Sequence, residues 1–67
     1  MAHRGKVKTY IAGRGFGFIE PAGGGEDVFV HVNEASEQIL IAGTEVTYEL
    51  ELDQRRGRDR AVRVRAI

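Results

Sequence analysis

Two short stretches of two-residue alternation constrain this chain more than anything else in it. In Gly15-Phe16-Gly17-Phe18-Ile19 the rings fall on every second residue. In Asp27-Val28-Phe29-Val30-His31-Val32 the valines take one set of alternate positions, and Phe29 and His31 take the other. Successive side chains of a β-strand leave opposite faces, so a period of two is a strand signal. With Val28, Val30 and Val32 turned to a core, Phe29 and His31 turn away from it. Phe16 and Phe18 likewise share one face of their strand, with Gly17 on the other.

The rest of the chain is punctuated in the same way. Glycine is abundant, proline occurs once and β-branched residues are frequent. Turn signals at short intervals predict an all-β chain. Strands are expected over residues 5–12, 15–20, 27–32, 45–53 and 61–67. In the first, Val7, Thr9 and Ile11 share the core face and alternate with Lys6, Lys8 and Tyr10. Pro21-Ala22-Gly23-Gly24-Gly25-Glu26 is a hairpin loop, because glycine reaches positive φ freely and proline ends pairing. Asn33 is expected to cap a short helical turn through residues 34–38.

In the fourth strand Val46, Tyr48, Leu50 and Leu52 share a face. Centring the last hairpin on Gly57 pairs Leu50 with Val64 and Leu52 with Val62. The same register pairs Glu49 with Arg65 and Glu51 with Arg63, which satisfies core and charge together. Sixty-seven residues make one domain, expected to span 1–67. Five short strands are too few for an ordinary sandwich. A closed or nearly closed five-stranded barrel buries more per residue and hides its edges.

Several function classes drop out. Without cysteine there is no disulfide, thiol catalysis or Cys-based zinc site. His3 and His31 are the only histidines, so no metal is expected. Gly13 and Gly15 begin a dinucleotide-type glycine pattern, but Phe18 occupies its last glycine position. No catalytic set of Ser, His and Asp or paired carboxylates stands out, so neither an enzyme nor a small-molecule substrate or cofactor is expected. Apolar runs extend only a few residues, as in Ile39-Leu40-Ile41-Ala42, far short of a membrane span or signal core. A cytoplasmic monomer is expected.

Net charge is zero but unevenly distributed. Residues 1–19 hold Arg4, Lys6, Lys8 and Arg14 and no acid; residues 20–53 hold acids and no base; residues 54–67 hold six arginines against Asp59. The aromatic pair thus adjoins a basic block. An aromatic face beside basic residues is a means of holding unpaired bases, since every base has a π-face to stack on. A small single-stranded nucleic-acid binder follows. The rival reading is a small β-barrel adaptor that binds protein.

Arg14-Gly15-Phe16-Gly17-Phe18-Ile19 matches the first part of the RNP1 pattern, with isoleucine for valine and Pro21 in the last aromatic slot. That motif begins early here and no long amphipathic helix follows. Together with Gly5-Lys6-Val7-Lys8 and Asp27-Val28-Phe29-Val30-His31, in that order and spacing, the chain closely resembles the bacterial-type cold-shock domain family. The resemblance implies a small five-stranded antiparallel OB-type barrel that binds single-stranded RNA and DNA. It also implies RNA-chaperone activity with no enzymatic step. Family binding residues carry over to Lys8, Arg14, Phe16, Phe18, Phe29 and His31, and in part to Tyr10. Thr9-Tyr10-Ile11 stands where the family usually reads Trp-Phe-Asn, so a stacking tryptophan is missing. Val32 stands where another aromatic is frequent.

Overall fold

The computed structural model describes residues 2–11, 13–35 and 40–67. Its strands are β1 (His3–Ile11), β2 (Phe16–Pro21), β3 (Val28–His31), β4 (Glu45–Asp53) and β5 (Arg58–Ala66), with a 3-10 turn at Val32–Glu34. They close into a barrel in the order β1-β2-β3-β5-β4. The ladders are antiparallel except β3–β5, which pairs Phe29 with Arg60 and Val30 with Ala61 in parallel. Number alone requires such a seam. Directions cannot alternate around a closed ring of five strands. The expected five-stranded barrel is present, with one parallel pair in it.

Val7, Ile19, Val30, Leu40, Val46, Tyr48, Ala61 and Val64 fill the interior, and Tyr10, Val28, Val32 and Ala35 pack against them. Burying a side chain of valine or isoleucine size contributes about 1.5–3 kcal/mol. The valines of β3 point inward as their alternation predicts.

β1 departs from simple alternation. Val7 pairs with Ile19, but Thr9 pairs with Phe18. Lys8 is therefore an extra residue, a β-bulge that reverses the phase of the strand. Beyond it Thr9 and Ile11 are exposed, and Tyr10 turns to the core. The expected grouping of Thr9 and Ile11 with Val7 is corrected, because alternation carries through only an unbulged strand. Gly17 lies across from Tyr10 and is buried. A Cβ there would meet the Thr9 carbonyl oxygen and the Tyr10 Cα, so glycine is what allows this close approach.

The β4–β5 hairpin is a second correction. The pairs are Leu50 with Ala61, Glu51 with Arg60 and Asp53 with Arg58. The chain reverses through residues 54–57, not about Gly57. Leu50 and Leu52 are 39% and 58% exposed. The β1–β4 ladder stops at His3 and Tyr48, so β4 runs on without a β1 neighbour, and its leucines stay partly open although Ala61, across from Leu50, is buried. A bulge on β5 opposite Tyr48, with Arg63 at φ 50°, reverses the phase of the strand, so Ala61 and Val64 both join the core cluster while Val62 is buried outside it. Charge pairing persists with other partners. Glu49 meets Arg63 at 3.0 Å and Glu51 meets Arg60 at 3.3 Å, in place of Glu49–Arg65 and Glu51–Arg63.

The turn after β3 starts two residues early. His31, not Asn33, caps it, with Nδ1 accepting the Asn33 N–H at 3.1 Å. Residues 36–38 of the expected turn lie outside the described residues.

Candidate nucleic-acid interface

On β2, Gly17 and Ile19 take the inner positions and are buried, which leaves Phe16 and Phe18 on the outer face. Strand pairing extends this face into two rows. Ile11, Phe16 and His31 lie side by side across β1, β2 and β3, and Thr9, Phe18 and Phe29 form the next row. All four rings are partly buried, neither core nor fully exposed. They also brace one another. Phe16 stacks on Phe29 with centroids 5.5 Å apart and planes at 22°, while Phe18 stands edge-on to Phe16 at 6.0 Å and to Phe29 at 6.1 Å. Such offset and edge-to-face contacts are favoured by the ring quadrupole, so they hold the rings in place without burying them.

His31 is held by the same logic. Its Nδ1 is occupied as acceptor of the Asn33 N–H. A neutral ring bonded in this way carries its proton on Nε2, which remains as a donor.

The cations around this face are mostly engaged. Lys8, exposed at the bulge, has Nζ 3.2 Å from Asp27 Oδ2. Arg58 meets Glu26 at 3.3 Å. Arg60 lies between Glu51, at 3.3 Å, and Glu34, at 4.0 Å. Arg14 is exposed on the β1–β2 turn, where its N–H and that of Gly15 both donate to the Ile11 carbonyl at 2.9 Å. Gly15 sits at φ 72°, a region that favours glycine.

Of the sequence-derived residues, Phe16, Phe18, Phe29 and His31 come together as one surface, with Lys8 and Arg14 at its border. Tyr10 does not join them. The bulge at Lys8 turns it to the core side, and that expectation is corrected. Three residues were missed. Thr9 and Ile11 enter the face through the same bulge. Arg56 places its guanidinium 4.1 Å from the Phe29 centroid, a cation–π contact from the β4–β5 loop. Loop arginines poor in nearby acids are a sequence signal for a role, but not for which ring they reach. A groove of about 420 Å³ opens at this corner, lined by Phe18, Phe29, Glu26, Asp27, Arg56 and Arg58 among others.

Among the described residues no His, Asp and Glu cluster could hold a metal ion, and no helix is long and apolar enough to cross a membrane. What remains is a braced set of aromatic rings on an outer β-surface, edged by cations. Such a surface offers π-faces to flat ligands.

Comparison with known proteins agrees with this geometry. Residues 3–67 match the family model of the 'Cold-shock' DNA-binding domain. The chain is 42% identical over 65 residues to Cold shock protein CspA of Rhizobium meliloti (strain 1021), covering 92% of this chain and 94% of that protein. It is 41% identical over 61 residues to Probable cold shock protein y4cH of Sinorhizobium fredii, covering 87% and 88%. It is also 39% identical over 49 residues to human Calcium-regulated heat-stable protein 1, covering 72% of this chain but 33% of that longer protein.

Proposed function

The chain belongs to the cold-shock DNA-binding domain family, a nucleic-acid-binding family, and from that premise we propose that it binds single-stranded RNA and DNA and acts as a nucleic-acid chaperone. An extended strand lies across β1, β2 and β3. Bases stack on Phe16, Phe18, Phe29 and His31, and Lys8 and Arg14 meet phosphates. Stacking is worth about 1–3 kcal/mol per base. A few stacked bases therefore lower the free energy of the unpaired state enough to oppose a weak hairpin. The shift is by mass action and needs no ATP, no cofactor and no catalytic step. Base faces rather than edges are contacted, so sequence preference is modest. We assign the protein to the cytoplasm as a monomer.

The observation that carries this reading is the outer cluster of Phe16, Phe18 and Phe29, mutually braced and outside the core. The test is a titration of labelled oligo-pyrimidine single strands with wild type, Phe18→Ala and Phe29→Ala. Wild type binds, and each variant binds more weakly by the order of one stacking contact, about 1–3 kcal/mol, with the fold retained. Equal affinity of all three proteins removes the aromatic platform. Absence of binding by wild type favours the adaptor reading, in which this apolar face meets protein.

A further inference from the structure

Phe29 is not open to a base as it stands. The Arg56 guanidinium lies 4.1 Å from its centroid, and a base cannot occupy the same space over that ring face. Arg56 comes from the loop between β4 and β5, a part of the barrel distant in sequence from β3. Two residues on, at the start of β5, Arg58 reaches Glu26 of the β2–β3 loop at 3.3 Å. Arg56, Arg58, Glu26 and Phe29 all line one groove, so both contacts lie at it. One planar contact and one ion pair thus tie the β4–β5 hairpin across the corner of the aromatic surface.

The exposed end of that hairpin, beyond Ala61, makes this arrangement physically reasonable. β4 beyond Tyr48 has lost its β1 neighbour, and Leu50 and Leu52 are only partly covered there. A hairpin end with few buried contacts opens at small cost. β5 is anchored to β3 at Arg60 and Ala61, and beyond that anchor the position of the loop over the groove is set by Arg56 and Arg58.

We infer that the β4–β5 loop is a self-binding strap, in which Arg56 occupies on Phe29 the place that a base takes in the complex, and Arg58–Glu26 latches it. This rests on the stacking reading above and specifies how that site is regulated. A single strand must displace Arg56 before it uses Phe29. The strap therefore discriminates against strands that engage only this corner and is overcome by strands that also engage Phe16, Phe18 and His31.

The alternative role for Arg56 is an ordinary favourable contact to the nucleic acid. The two roles have opposite signs in one experiment, anisotropy titration of a labelled heptauridylate. Arg56→Lys keeps the charge available to phosphates but loses the flat guanidinium that covers the ring. An exposed arginine–aromatic contact corresponds to about a two- to fivefold change in a binding constant, and Arg56→Lys is expected to bind tighter by a factor in that range. Glu26→Gln releases the latch. It is expected to bind about twofold tighter than Glu45→Gln, which removes the same charge from β4 away from the groove, in keeping with the modest worth of a surface ion pair. Unchanged or weaker binding by Arg56→Lys, or equal affinities for Glu26→Gln and Glu45→Gln, overturns the strap. If wild type binds but the order is reversed, the strap alone falls. If no form binds the heptamer, the stacking reading falls and the strap with it.

Discussion

Thr9 lies directly across from Phe18, although Val7, two residues earlier, lies across from Ile19. The single extra residue between them, Lys8, turns the end of β1 over. It sets an exposed threonine beside the aromatic row, at the position where the resembling family usually carries its stacking tryptophan.

Thr9→Trp is therefore expected to strengthen single-strand binding by about one stacking contact, 1–3 kcal/mol. Thr9 is exposed, so the larger ring enters open space and the thermal midpoint stays unchanged. Paired affinity and melting measurements decide it. A lowered midpoint with no gain in affinity would show overpacking instead.

Asp27→Asn is expected to release Lys8 from its ion pair and make it available to a phosphate. Binding then tightens, and the slope of log K against log salt steepens by about 0.7, the value for one added single-strand phosphate contact. Titrations at several salt concentrations read this directly. An unchanged slope would mean that Lys8 stays away from the backbone.

Gly17→Ala is expected to damage the fold although it adds one methyl group. The new Cβ would meet backbone atoms of Thr9 and Tyr10, which cannot swing aside as a side-chain tip can. Overpacking of this kind typically costs about 1–3 kcal/mol, seen as a lower midpoint in chemical denaturation. A midpoint equal to that of wild type would show that β1 can move off β2.

Glu49→Gln tests the pH dependence of the β4–β5 ladder. The hydrogen bond from Arg63, and then its charge, hold the Glu49 carboxyl below its ordinary value of 4.5. A carboxylate depressed in this way stabilises the folded state fully above its unfolded value, and the contribution is lost as pH falls through the lower folded value. The gap in thermal midpoint between wild type and Glu49→Gln is expected to be present at pH 7 and to close as pH falls well below 4.5. A gap that is constant with pH would assign the effect to something other than this ion pair.

Leu52→Ser and Ile19→Ala should separate widely in stability. Leu52 is 58% exposed near the end of the hairpin, whereas Ile19 is fully buried. The first change is expected to fall within about 0.5 kcal/mol of wild type and the second to cost about 2–5 kcal/mol. Comparable losses would mean that Leu52 is covered in solution.

Much of the site was legible in the residues. The alternation in β2 and β3 determined which side chains share a face, because that is a property of each strand by itself. It placed Phe16, Phe18, Phe29 and His31 outside and the valines of β3 inside. Order and spacing of the motifs determined the family and with it the closed barrel. The phase of β1 beyond Lys8, the loss of Tyr10 from the surface and the entry of Thr9 were decided only in three dimensions. A bulge is a relation between two strands and leaves the alternation pattern of either one ambiguous. The same holds for the β4–β5 hairpin. A register about Gly57 and the observed reversal through residues 54–57 both match acid with arginine, and only the loss of the β1 neighbour beyond Tyr48 explains why Leu50 and Leu52 are not core. The contact of Arg56 with Phe29 needed the tertiary structure most. It joins two segments far apart in the chain, and only closure of the ring of strands brings them side by side.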